Sequence, residues 1–151
     1  MEKFKSVDEV LEFAIAKEEE ACNFYNGLAG KMEVPGMAEV FRHLAREEQG
    51  HKEKLIKVKE GKLLIKAEQK VQDLKIGDYL ADVEPSADMD YQEALIVAMK
   101  REKVSYRLYM DLAESADDEN LKNTFTALAN EEAKHKLRLE IIYDDQILSE
   151  N

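Results

Sequence analysis

Two Glu-x-x-His motifs are the residues in this sequence most suited to chemistry: Glu48 with His51, and Glu132 with His135. Residues three apart lie on the same face of a helix, so each carboxylate and its imidazole can reach toward one point. Carboxylate oxygens and imidazole nitrogens are ligands of iron, manganese and zinc. One such motif is weak evidence because glutamate is common in helices, but two motifs in one chain indicate a metal site.

An internal repeat places the two motifs in register. When the sequence is shifted by 84 residues, 13 of the 42 positions between Ala14 and Leu55 are identical to their partners. Random matching at average composition would give about three. The repeat identities at apolar positions are explained by a helical core. The identities at glutamate and histidine positions are not, because neither a core nor a solvated helix face requires these residue types at fixed positions. The chemically relevant identical pairs are Glu18 and Glu102, Tyr25 and Tyr109, Glu48 and Glu132, and His51 and His135.

The turns predict that these residues lie at one level. Glu18 and Glu48 have their midpoint at residue 33, beside a Val-Pro-Gly turn, and Glu102 and Glu132 have theirs at residue 117, in an Asp-Asp turn. Residues equidistant from the turn of an antiparallel hairpin sit at the same height, here roughly 22 Å from each turn. The sequence therefore predicts two helical hairpins, with a site of approximate twofold symmetry between them.

Charge balance explains why such a site would hold two ions. Four carboxylates buried together repel one another and lose hydration worth several kcal/mol each. Two divalent cations balance four negative charges, and neutral imidazoles complete the set. Oxygen ligands with one imidazole per metal suit iron or manganese, and zinc stays open. The predicted metal ligands are Glu18, Glu48, His51, Glu102, Glu132 and His135.

The composition supports an all-α fold and narrows the partners. Charged residues make up 36% of the 151 residues, apolar residues 44%, and only two prolines and six glycines interrupt the chain. A net charge of −11 disfavours nucleic acid and anionic membranes as partners. No apolar run resembles a membrane span or a signal peptide, so we expect a cytoplasmic protein. The single cysteine, Cys22, excludes an internal disulfide and a Cys-x-x-Cys metal site.

Apolar residues at three- and four-residue steps predict four helices. Ser6 and Glu9 have capping-box spacing, and Ser86 is the expected N-cap of the third helix. We expect one domain over residues 1–151, with hairpin one at about 6–60, a crossover at about 61–85 and hairpin two at about 86–148. The predicted helices run from about Val7 to Met32, Met37 to Lys59, Ala87 to Ser115 and Asn120 to Leu148.

The segments EEEACNFYNGLA, EEQGH, REKVSYRLYMDLA and EEAKH make nearly the whole chain resemble the rubrerythrin-like branch of the ferritin-like di-iron carboxylate superfamily. The resemblance implies a ferritin-like four-helix bundle with a long crossover between its hairpins. It also implies two iron ions, with Glu18 and His51 on one, Glu102 and His135 on the other, and Glu48 and Glu132 bridging both.

The chain departs from full rubrerythrins at two points. No rubredoxin-like electron-transfer domain is expected within these 151 residues, and Ser105 stands where those proteins carry an extra glutamate ligand, three residues after the third-helix glutamate. Because Ser105 replaces that ligand, the resemblance does not by itself imply the redox-linked metal movement attributed to the glutamate, nor a direct peroxidase assignment.

Several residues near the predicted site could have either a functional or a purely structural role. Tyr25 and Tyr109 each follow a ligand glutamate by seven residues, and either hydrogen-bond to a carboxylate and hold its orientation or simply pack in the core; their identity in the repeat favours the hydrogen bond. Cys22 follows Glu18 by four residues, and we interpret it as an inert thiol rather than a ligand. Solvated or supporting positions are expected for Glu19, Glu20, Glu47 and Glu131.

The leading functional hypothesis is a di-iron oxidoreductase that reduces peroxide or oxygen. An external electron donor protein would re-reduce the metals. Two alternatives stay open: an iron-binding or ferroxidase-type iron-handling protein without turnover, and a structural metal-binding bundle that holds zinc. The resemblance also makes a homodimer an option.

Overall fold

A computed structural model describes residues 7–61, 90–116 and 119–150. These residues form helices and no strand, which confirms the predicted all-α class. The predicted capping box at Ser6 and nearly all of the predicted crossover lie outside the described residues. None of the described helices has an apolar stretch long enough to cross a membrane. The four helices are α1 (Val7–Lys31), α2 (Pro35–Glu60), α3 (Tyr91–Ser115) and α4 (Glu119–Glu150).

The helix ends follow local chemistry. Val34 has an extended backbone and Pro35 is the first residue of α2. Proline is tolerated there because the first N–H of a helix has no partner within the helix and the fixed φ of proline suits the helix. Asp90 caps α3: its backbone is extended and its carboxylate accepts a hydrogen bond of 2.8 Å from the Glu93 N–H. The helix therefore begins at Tyr91, whereas the sequence predicted a start after Ser86, which lies outside the described residues.

Two apolar cores join the hairpins. In each core, the end of one hairpin that carries its turn packs against the opposite, open end of the other hairpin, where the helices are not connected by a turn. In the first core, Leu11 and Leu55 from the open end of α1 and α2 pack with Leu112 and Phe125 from the turn end of α3 and α4. The second core reverses the arrangement, with Phe41 beside the first turn packed among residues such as Leu95. The hairpins are therefore antiparallel, and an approximate twofold axis exchanges the cores.

Candidate metal centre

The structure brings all six predicted ligands into one layer between the two apolar cores. Each helix contributes a glutamate, and α2 and α4 each add the histidine three residues later on the same face. These residues are nearly sealed from solvent, with exposed fractions between 0% and 7%. The residues in this layer are Glu18, Glu48, His51, Glu102, Glu132 and His135.

The six side chains form two overlapping groups, in each of which the ligand atoms lie within 4.8 Å of one another. Both groups contain Glu48 and Glu132, so these two carboxylates are shared between the groups. The remaining members differ by hairpin. Glu18 and His51 complete the first group, and Glu102 and His135 complete the second.

The distances show that each imidazole faces three carboxylates. His51 Nδ1 lies 2.8 Å from Glu132 Oε1, 3.3 Å from Glu48 Oε1 and 3.7 Å from Glu18 Oε1. His135 Nδ1 lies 3.2 Å from Glu48 Oε1, 3.4 Å from Glu102 Oε2 and 3.7 Å from Glu132 Oε1. The two imidazole rings stack with centroids 5.8 Å apart and planes 16° apart. The approximate twofold axis of the bundle thus runs through the site.

Buried polar atoms without hydrogen bonds show that the donor set fits metal ions. Carboxylate oxygens of all four glutamates and nitrogens of both histidines are buried in the site without a hydrogen-bond partner. Even His51 Nδ1, at 2.8 Å from Glu132 Oε1, lacks the alignment of a hydrogen bond. Lone pairs that converge on one space, with no hydrogen-bond donor among them, suit a cation. Without a cation, each buried polar atom that lacks a partner costs folding free energy. The cluster therefore fits a di-metal site.

Without metal, this layer would hold protons. Burial, followed by repulsion from Glu48, raises the pKa of Glu18 to about 8, and the same causes raise the pKa of Glu102. Burial and repulsion from Glu102 raise the pKa of Glu132 well above its ordinary value. Burial also raises the pKa of Glu48, but its interactions with His135 and then His51 outweigh that and lower it.

Without metal, the two imidazoles of the layer would be protonated and positively charged. Burial lowers the pKa of each histidine, but neighbouring carboxylates outweigh it, with Glu18 and Glu48 raising that of His51 to about 9. Glu102 and Glu48 raise the pKa of His135 to about 10. Ligation requires deprotonated groups, so metals must displace these protons.

Two buried tyrosines connect the hairpins through the site. The Tyr25 hydroxyl on α1 donates a 2.5 Å hydrogen bond to Glu102 Oε1 on α3. The Tyr109 hydroxyl on α3 donates one to Glu18 Oε1 on α1. Each tyrosine therefore contacts the glutamate of the other hairpin, not the one seven residues before it. The structure shows the contact expected of a residue that orients a carboxylate, together with burial in the apolar cores.

Residues at the edge of the site are less buried. Cys22 is partly buried, accepts a long 3.8 Å contact from Asn26 Nδ2, and belongs to none of the metal-ligand groups found among the described residues. Glu47 and Glu131 are half-buried, and with His135 they form a third group of closely spaced ligand atoms. These two glutamates were predicted to be solvated or supporting residues, although their identity in the repeat could have indicated the cluster.

The family model described as rubrerythrin matches residues 9–143. The chain belongs to the rubrerythrin family. This result confirms the resemblance drawn from the four sequence segments, and it agrees with two metal groups in a bundle of two hairpins. No curated protein matches the chain significantly.

Solved structures share the ferritin-like fold over nearly the whole chain. A candidate ferritin-like diiron-carboxylate protein from Thermotoga maritima superposes with a TM-score of 0.78 at 23% identity, covering 97% of this chain and 99% of its own. A hypothetical protein from Pyrococcus furiosus gives 0.73 at 26% identity, covering 92% and 89%. An uncharacterized conserved protein from Magnetospirillum magnetotacticum gives 0.71 at 26% identity, covering 93% and 95%.

The protons on this layer make metal binding pH-dependent. Because the pKa values of Glu18, His51 and His135 are raised to about 8, 9 and 10, these groups carry protons at pH 6. We expect the Mn(II) affinity to rise from pH 6 to pH 8, about tenfold per pH unit for each proton released. Titration calorimetry in buffers of different ionisation enthalpy counts those protons. A pH-independent affinity without proton release would contradict this description.

Removing a tyrosine hydroxyl separates the two readings of Tyr25 and Tyr109. Tyr25→Phe and Tyr109→Phe preserve the ring packing but remove the hydrogen bonds to Glu102 and Glu18. We expect each variant to bind metal about 10–100-fold more weakly, as for other groups that orient metal ligands. Tyr106→Phe, a partly exposed position outside the site, is the matched control. If all three variants bind metal like the parent protein, the buried tyrosines serve only as core residues.

Proposed function

We propose that the protein is a di-iron oxidoreductase that reduces peroxide or oxygen with electrons from an external donor. The observation that carries the proposal is the pair of buried ligand groups that share Glu48 and Glu132. Shared carboxylates would hold two metals as one unit, so one substrate molecule could receive electrons from both. Two bound Fe(II) ions would supply two electrons, which with two protons convert one hydrogen peroxide molecule to two water molecules.

The protein's own residues would prepare the site for that chemistry. The apolar cores on both sides exclude bulk water, which strengthens every electrostatic interaction inside the layer. Tyr25 and Tyr109 would hold Glu102 and Glu18 in one orientation while the charge on the metals changes. Without metal, the Glu18 carboxylate and the His135 imidazole have raised pKa values and hold protons. Metal binding at these groups would therefore release protons.

Neither hairpin supplies a seventh carboxylate at the position of the extra rubrerythrin ligand. Ser105, three residues after Glu102, is partly buried, and its repeat partner Ala21 is partly buried at the same distance after Glu18. The described residues therefore give the two metal groups equivalent glutamate and histidine sets. We propose a symmetric pair of irons, without the metal movement that an additional glutamate on one side would permit.

A second candidate function, iron uptake without turnover, is supported by the third ligand group. Glu47 and Glu131 are half-buried and share His135 with the buried site, so they could pass iron from the surface inward. In that case the protein would oxidise or store the two irons once and would have no continuing need for a reductant.

Anaerobic loading with Fe(II), followed by peroxide in one sample and oxygen in another, tests the proposal. We expect two Fe(II) oxidised per peroxide molecule, and repeated turnover when ascorbate is present. Glu48→Ala should abolish that turnover, because it removes a carboxylate common to both groups. Glu47→Gln, the neighbouring control, should retain it if the protein is an oxidoreductase, and should instead slow iron loading if the protein handles iron.

The outcomes separate the functions. Iron-loaded protein that shows neither peroxide- nor oxygen-dependent Fe(II) oxidation would overturn the oxidoreductase. Oxidation that stops after one equivalent, with ascorbate still present, would favour iron handling. A full complement of zinc in protein from its native host would indicate a structural metal bundle.

A further inference from the structure

The outer side of the second hairpin carries an open groove between α3 and α4. The cavity has a volume of about 450 Å³ and is lined by Lys103, Tyr106, Ala133, Lys136, Leu137 and Glu140. We call these six residues the basic groove. Large apolar side chains are exposed in it and beside it, with Leu137 at 57%, Ile141 at 53%, Met110 at 38% and Tyr106 at 37% exposure.

The internal repeat provides a matched surface for comparison on the first hairpin. Two residues of the groove differ from their repeat partners on the first hairpin: Leu137 corresponds to the charged Glu53, and Tyr106 corresponds to the smaller Cys22. Just outside the groove, Ile141 stands for Lys57 and Met110 for Asn26. The repeat preserves the inward ligands and core residues, yet three of these four exposed positions change from polar to apolar between the first hairpin and the second. Burial within the chain cannot explain that difference, because the side chains are exposed.

The charges differ between the two hairpins in the same place. Lys103 stands for Glu19, and the cations on either side of it on α3, Lys100 and Arg107, stand for Ala16 and Asn23. Residues three and four apart share a helix face, so these cations extend the basic groove along α3. The groove contains two lysines and one carboxylate, Glu140, which pairs with Lys136, so it carries a small net positive charge on a protein of net charge −11.

The change from Glu19 to Lys103 also explains why the groove is open. On the first hairpin, Lys52 Nζ reaches across to Glu19 Oε1 at 3.3 Å and bridges α1 and α2. The corresponding residues of the second hairpin are Lys136 and Lys103, which repel each other and cannot form that bridge. Lys136 pairs instead with Glu140 on its own helix. The groove between α3 and α4 therefore stays accessible.

The basic groove lies on the outer side of the helical turns that carry the metal ligands. Lys103 follows Glu102 in the chain, Ala133 follows Glu132, and Lys136 follows His135. Only the thickness of a helix, roughly 10–12 Å, separates such an outer surface from side chains that point inward.

We propose that the basic groove is the docking site of an acidic electron-carrier protein, with an apolar contact at its centre and carboxylates around it. This assignment rests on the proposed function, because the carrier is oxidised by one electron at each encounter and the metal pair is reduced by that electron. Charge complementarity favours this occupant over a second copy of the chain. A twofold contact through the groove would bring the lysines of two copies together, while the one carboxylate of the groove, Glu140, is already paired with Lys136.

Binding of acidic carriers to variants with matched charge tests the proposal. The probes are an acidic rubredoxin, ferredoxin and flavodoxin, each titrated onto the metal-loaded protein at low ionic strength. Lys103→Glu should weaken the binding of the carrier about tenfold or more, and added salt should reduce the difference. Lys54→Glu makes the same charge change at an exposed position of α2 and should leave the affinity within about twofold of the parent.

Each outcome decides the assignment. Failure of all three carriers to bind, or equal loss of binding in Lys103→Glu and Lys54→Glu, would overturn it. A parent dimer that Leu137→Glu converts to monomer would also overturn it, because a second copy would then occupy the groove. Peroxide reduction with ascorbate tests the proposed function separately. If that reaction is absent while the Lys103-dependent binding persists, the function fails and the docking surface stands.

Discussion

The structure depends on one electrostatic constraint: four glutamates are buried in a single layer between two apolar cores. A carboxylate taken from water into such a layer costs several kcal/mol unless a counter-charge is present. Protons can supply that compensation, as the raised pKa values of Glu18, Glu102 and Glu132 indicate. Two divalent cations supply it more completely, because they also satisfy the carboxylate and imidazole atoms that have no hydrogen-bond partner.

Twofold symmetry is how the fold meets that constraint. Antiparallel hairpins place the same residues on both sides of the layer, so each hairpin provides half of the ligands and the turn end of one core. The tyrosines cross between hairpins, so the orientation of each outer glutamate depends on the other half of the bundle. The buried ligands and core residues follow the twofold symmetry, whereas the outer surfaces of the two hairpins do not. The open basic groove on the second hairpin has a salt-bridged counterpart on the first.

The sequence was sufficient to predict the fold class and the set of residues that meet in the layer, because the spacing of Glu18 and Glu48 about a turn fixes their level. It could not predict which hairpin's glutamate each tyrosine would contact, since that depends on the antiparallel arrangement of the hairpins. The N-cap of α3 is Asp90 and not the predicted Ser86. Both residue types cap helices well, and the extended backbone of Asp90, with its hydrogen bond from the Glu93 N–H, identifies the cap.

The central claim is that this layer holds two metal ions through one set of shared and unshared ligands. Its most direct test is a crystal structure of the anaerobically iron-loaded protein, with anomalous differences measured on both sides of the iron absorption edge. We expect two iron peaks, one ligated by Glu18 and His51 and the other by Glu102 and His135, with Glu48 and Glu132 contacting both. A single iron, or irons bound only by other residues while the six side chains stay protonated and unligated, would contradict it.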